Sequence, residues 1–133
     1  MAFQIVVTDT LTDEMVRAGE QLIQSLDANG FPVRAAFWYY LRESEVWRLV
    51  IASPIVSQLG PTVAYRQIHN VVDEMATDAA KISLNDITVV ENDNHRVSLL
   101  RAAVGPKRKA AGIRLSQNVI NGLMIDDAYI YRL

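Results

Sequence analysis

Arg34 to Pro54 reads RAAFWYYLRESEVWRLVIASP, and the reading of the whole chain depends on it. Two runs rich in β-branched and aromatic residues, Ala35–Leu41 and Val46–Ala52, flank the polar stretch Arg42-Glu43-Ser44-Glu45. Such residues suit a pleated surface, and a polar link of this length suits a hairpin loop. If Leu41 opposes Val46, Tyr39 faces Arg48 and Phe37 faces Val50. The other side then pairs Tyr40 with Trp47, Trp38 with Leu49 and Ala36 with Ile51. Apart from Arg48, both faces are apolar, whereas a hairpin wetted on one side alternates apolar with polar. The strands are therefore either central and covered on both faces, or one face meets a partner.

Outward from the hairpin, the chain reads as alternating helices and strands. Toward the N-terminus, Phe3–Val7 is a short β-like run. Thr12 reads as an N-cap, Asp13 and Glu14 favour the first turn, and Met15, Leu22, Ile23 and Leu26 recur at helical spacing. Asn29-Gly30 stops this helix, which is expected at about 13–28. Toward the C-terminus, Gly60-Pro61 opens a second helix that runs to about Met75 or Lys81, with Ala64, Ile68, Val71 and Val72 in its apolar stripe. Ile87–Glu91 and Arg96–Val104 are expected to be strands of a second hairpin around Asn92-Asp93-Asn94-His95. Lys107–Gly112 reads as a polar loop, Ile113–Ser116 as a short strand, Asn121-Gly122 as a turn and Leu123–Leu133 as the last strand.

The expected fold is α+β: an antiparallel or mixed sheet of five or more strands, with two helices packed on one face, in a single domain over residues 1–133. Two helices cannot cover both faces of such a sheet, and large exposed apolar patches mark interfaces. Trp38, Tyr40 and Trp47 are therefore candidate interface residues, and a homodimer formed through the sheet face is the expected assembly.

Composition excludes several classes. Of the 133 residues, half are hydrophobic and 21% are charged, too apolar for a disordered chain. The absence of cysteine rules out disulfides and thiolate chemistry. MAFQIVVTDT has no basic start and its apolar run is broken by Gln4, unlike a signal peptide. No apolar run approaches the roughly 20 residues of a membrane span. The expectation is a soluble, cytoplasmic protein that does not enter a membrane.

Charge is unevenly distributed. Residues 1–95 carry 13 acidic and 6 basic side chains, whereas no acidic residue occurs between Asn94 and Ile125. That stretch holds Arg96, Arg101, Lys107, Arg108, Lys109 and Arg114. In a strand, the five-residue separation puts Arg96 and Arg101 on opposite faces, so the coherent cluster is Lys107, Arg108, Lys109 and Arg114. This segment is the candidate site for a phosphate ligand, a nucleic acid or an acidic partner. Against a nucleic acid stand the sequence pI of about 5.6 and the lack of a stacking aromatic within the loop.

Catalytic motifs are sparse. No nucleophile elbow, P-loop or dinucleotide fingerprint occurs, and Ser53 and Ser57 read as turn serines. His69 and His95 are the only histidines. His69 with Asp73 reads as a helix-surface pair, Glu91, Asp93 and His95 as a solvated turn, and Asp126-Asp127 as a weak carboxylate pair. No metal and no cofactor is expected. Arg48, alone in an apolar strand, is expected either to reach a buried carboxylate or to point into a cleft. Three functional readings follow: a non-enzymatic binding or assembly module that self-associates; a nucleic-acid or phosphate binder using residues 107–114; and a small-substrate enzyme with a cleft around Arg48.

Overall fold

The computed structural model describes residues 10–75, 82–105, 111–120 and 123–133, with backbone alone for 117–120 and 123–126. The elements are α1 (Asp13–Ala28), β1 (Ala35–Leu41), β2 (Val46–Ala52), α2 (Ile55–Leu59), α3 (Pro61–Glu74), a single 3₁₀ turn (Leu84–Asp86), β3 (Ile87–Val90), α4 (His95–Val104), β4 (Ile113–Ile120) and β5 (Leu123–Arg132). The expected strand at Phe3–Val7, the extension of α3 toward Lys81 and the turn at Asn121-Gly122 lie outside the described residues.

The five strands form one mixed sheet in the order β3-β2-β1-β5-β4. β1 pairs with β2 in the expected register, from Leu41 opposite Val46 to Ala35 opposite Ala52. β5 runs antiparallel to β1 on its other side, β4 runs antiparallel to β5, and β3 runs parallel to β2. The α+β class, the mixed sheet and the pair of helices on one face are all present.

Those helices are α1 and α3. Thr12 Oγ1 accepts the Met15 N–H at 3.1 Å, giving α1 the start its sequence predicts. Leu22 and Leu26 of α1 and Ile68 of α3 are fully buried over Trp38, Leu49 and Ile51. Each such side chain contributes on the order of 1.5–3 kcal/mol by leaving water.

Arg96–Val104 corrects the expected second hairpin, because it is helical. Asn94 caps the segment by accepting the Arg96 N–H at 2.9 Å. Gly105, at φ +81°, ends it in a conformation that other residues enter only at a cost. Val97, Leu100 and Val104 follow helical spacing and are buried against Phe37, Val50 and Ile130 on the sheet face opposite α1 and α3. Val97 and Leu99 also fit a two-residue period, which makes the stretch ambiguous when read alone. The sheet is thus covered on both sides, and both apolar faces of the first hairpin are core.

Ser53 is buried, and its Oγ accepts the Ile55 N–H at 3.2 Å at the start of α2. α2 has no sequence expectation behind it: Ile55-Val56 favours extended structure, but this Ser53-Pro54 turn directs the chain into one short helix.

Candidate functional site

Among the described residues, Arg48 finds a hydroxyl and two backbone carbonyls as the partners of its guanidinium, with no carboxylate. Its Cα lies opposite Tyr39, but its guanidinium crosses to the edge of the sheet. Nε donates to Thr88 Oγ1 at 3.0 Å, and the two terminal nitrogens donate to Asn85 O at 2.6 Å and Ile87 O at 3.1 Å. Three donors of one planar fork are spent holding the start of β3 against β2. The cation over the Tyr39 ring is instead Arg96, 4.8 Å from its centroid. Arg101 donates to Asn92 O at 3.1 Å and to Asn92 Oδ1 at 2.8 Å. Both arginines of α4 are therefore engaged within the chain.

Of the basic segment, Lys107, Arg108 and Lys109 lie outside the described residues. Arg114 is described, and it sits 5.5 Å over the Trp47 ring and 3.7 Å from Asp127 Oδ1. Asp127 also accepts Ser116 Oγ at 2.7 Å. His69 Nε2 lies 3.3 Å from Asp73 Oδ2 on the exposed side of α3. Among the described residues, no three His, Asp or Glu side chains converge as metal ligands, and no helix is long and apolar enough to cross a membrane.

The expected interface residues belong largely to this chain's own core. Trp38 is 2% exposed and Trp47 5%. Tyr40 is half-buried, its ring 5.4 Å from that of Trp47. The face that carries Trp38 and Trp47 lies under α1 and α3. Exposed large apolar side chains among the described residues are single and separate, Val46 at 37% and Leu59 at 57%.

Two features remain as candidate sites, and the first is the outer edge of β4. The two edges of the sheet are managed differently. β3 is four residues long and lies between Asp86 and Glu91. The Tyr65 hydroxyl accepts the Val89 N–H at 3.0 Å, so α3 itself occupies part of that edge. β4 has eight residues, IRLSQNVI, with one charge and no proline. β5 pairs along one side of it, and no described strand pairs along the other. β1 follows β5 only as far as Ala128, while β4 and β5 continue together to Ile120 opposite Leu123. The hairpin therefore runs on past the sheet as a two-stranded ribbon.

The second feature is a cleft of about 380 Å³ between α1 and the C-terminal half of β5. Val16, Glu20, Ile23 and Gln24 form one stripe of α1 and make one wall. Tyr129 and Tyr131 make the floor, with their rings edge to face at 5.3 Å. Ala111 and Gly112 close one end, and Arg132 lies at the margin. Tyr131 is fixed below the helix: Trp38 Nε1 donates to its hydroxyl at 2.9 Å, and that hydroxyl donates to Val16 O at 2.5 Å. Burial pushes its pKa well above the ordinary tyrosine range, outweighing the Trp38 hydrogen bond, so it stays a donor.

Arg132 is bound to Asp27 by a two-pronged pair, 3.0 Å to Oδ1 and 2.8 Å to Oδ2, and also donates to Val33 O at 3.1 Å. The Arg132 hydrogen bond, aided by its charge and opposed by slight burial, holds the Asp27 carboxyl below the usual range. A depressed folded pKa gives stability that is complete above the unfolded value of about 4 and lost as pH falls through the folded value. With the side chains 39% and 44% exposed, solvent screening limits the pair to about 0.5–1 kcal/mol. Asp27→Asn is expected to lower Tm by about 2–4 °C at pH 7, with the gap from wild type closing as pH falls through the depressed Asp27 value. Thermal melts across pH check this, and a gap that persists in acid would refute the charge argument.

Comparison of the chain with protein-family models, with curated proteins and with solved structures finds no match.

Proposed function

We propose that this chain is a non-enzymatic assembly module that forms a homodimer by joining the β4 edges of two copies into one continuous antiparallel sheet. The observation that carries this reading is the inequality of the two sheet edges. Proteins blunt exposed edges with short strands, lysine, proline or a covering element. β3 is short and partly occupied by Tyr65, while β4 is long, carries neither lysine nor proline, and runs with β5 past the rest of the sheet. A strand edge that no described strand covers pairs most simply with its own copy about a two-fold axis, which satisfies both edges with the same surface. The covered sheet faces favour an edge over the face association that the sequence suggests.

Light scattering at about 10–50 μM is expected to give twice the 14.9 kDa chain mass. The double variant Gln117→Lys/Val119→Lys is expected to elute as a monomer with its fold intact, because lysines on an edge strand place like charges along the joined edges. Its dissociation constant should rise by at least about tenfold, a change of about 1.4 kcal/mol. A monomeric wild type, or a variant that dimerises as tightly, would end this reading.

A further inference from the structure

We infer that the cleft between α1 and β5 is a binding site for a small organic cation, an amine carried on an aromatic or short apolar body. The inference is independent of the dimer, since it uses the face of the sheet under α1 and not the β4 edge.

The volume comes first. At about 380 Å³ the cleft lies at the lower end of the range for small-molecule sites, which suits a ligand of one ring with a short chain. The lining is mixed in a way that selects charge. Val16, Ile23 and Ala111 are apolar, and the two tyrosine rings, edge to face with each other, add aromatic surface. Aromatic rings attract cations through their quadrupole.

The polar groups of the lining divide into committed and uncommitted ones. The Tyr131 hydroxyl accepts from Trp38 and donates to Val16 O, which uses its only proton. Arg132 is neutralised by the two-pronged Asp27 pair, so it offers little net charge to an anion. Glu20 and Gln24 have no hydrogen-bond or ion-pair partner among the described residues, and neither does the Tyr129 hydroxyl, which lies 3.9 Å from where a Gly112 side chain would begin. Glu20 is close enough to Tyr131 for its charge to disfavour ionisation of that hydroxyl. The described lining therefore holds one carboxylate without a counter-ion, above two aromatic rings and beside an amide and a hydroxyl. That combination matches an ammonium group with a hydrophobic body: the charge at Glu20, the body on Tyr129.

Phenethylamine is the probe, with phenylacetate as the matched anion. In ¹H–¹⁵N spectra, phenethylamine is expected to shift the amides of Glu20, Gln24, Gly112 and Tyr129, with a dissociation constant of roughly 0.1–1 mM for so small a ligand. Glu20→Gln, at an exposed helix position, should fold normally and weaken the amine about fivefold or more. Raised salt should weaken it in the wild type far more than in the variant. Phenylacetate should shift none of these amides. The inference is overturned if phenethylamine leaves the amides unmoved, if Glu20→Gln binds it as well as wild type, or if phenylacetate binds equally tightly. The dimer mutations at Gln117 and Val119 should leave the amine titration unchanged, so a failure of one proposal is distinguishable from a failure of the other.

Discussion

Gly19→Ala is expected to lower Tm by up to about 6–8 °C, although the same substitution stabilises an isolated helix. Alanine is favoured over glycine in a helix interior by about 1 kcal/mol, so propensity alone predicts a gain. Packing reverses the sign. A Cβ at position 19 would lie 2.9 Å from Tyr131 Cζ and 3.0 Å from Trp38 Nε1, and closer still to the Tyr131 hydroxyl. None of these atoms moves aside cheaply. Trp38 is 2% exposed, and the Tyr131 hydroxyl sits between the Trp38 N–H and the Val16 carbonyl. Either α1 lifts from the sheet, or Tyr131 rotates and leaves the indole N–H unpartnered. Overpacking costs on the order of 1–3 kcal/mol and an unsatisfied buried donor about 1–3. After the propensity gain, either route alone leaves a net loss of up to about 2 kcal/mol, at about 3–4 °C per kcal/mol for a chain of this size. Tyr131→Phe removes the nearest atom, so its effect on top of Gly19→Ala should be smaller than alone by about 1 kcal/mol in a double-mutant cycle. Calorimetry of the four proteins reads this directly. A Tm equal to or above wild type for Gly19→Ala would show that α1 does not press on the sheet there.

The first hairpin, α1 and the start of α3 are legible in the sequence because local signals agree there. A cap, a period and a stop coincide at Thr12, Leu22 and Asn29-Gly30, and the Arg42–Glu45 link leaves a single sensible register. The failure at Arg96–Val104 spread beyond its own residues. Reading that segment as a strand added a strand to be covered and removed the helix that covers it. That exchange leaves the Phe37 and Tyr39 face open, whereas Trp38 and Trp47 lie on the other face, under the two helices that the sequence predicts. The signals that identify α4, Asn94 as a cap and Gly105 as a stop, are present in the sequence but compete with alternation at Val97 and Leu99. Arg48 was conspicuous because a charge in an apolar strand needs a partner. Its acceptors are backbone carbonyls of Asn85 and Ile87, and side-chain pattern carries no record of those. The cleft could have been glimpsed in Tyr129-Ile130-Tyr131, whose alternation sets both rings on one face, and in Glu20 with Gln24 one helical turn apart. Bringing those two patterns together requires the β1–β5 pairing, a contact between residues about ninety positions apart.

Arg48→Met is expected to destabilise the protein by about 2–3 kcal/mol and to loosen β3 before the rest of the sheet. The substitution keeps the length and apolar stem of the side chain, so the loss isolates the guanidinium. Its three hydrogen bonds, at 2.6–3.1 Å, run to Asn85, Ile87 and Thr88, all at the start of β3. Hydrogen bonds to charged groups contribute about 1.5–3 kcal/mol each when buried, and the partial exposure of this set reduces the sum. β3 is otherwise held by four register pairs with β2, the Tyr65 hydroxyl on Val89, the Ser53 N–H on Val90 O and the buried side chains of Ile87 and Val89. Arg48→Lys should recover less than half of the loss, because one ammonium cannot span three acceptors arranged for a planar fork. Hydrogen exchange should show the amides of β3 losing protection first, while α1 and β5 keep theirs until global unfolding. The consequence for assembly follows from the edge argument. When β3 detaches, Trp47–Ile51 of β2 becomes a second unprotected edge, apolar on both faces. Arg48→Met should therefore form species larger than a dimer on warming, at temperatures where Gly19→Ala, destabilised elsewhere, still gives dimers. If Arg48→Met melts with wild-type Tm and its β3 amides stay protected, the guanidinium is not what closes this side of the sheet, and the contrast between the two edges loses one of its two supports.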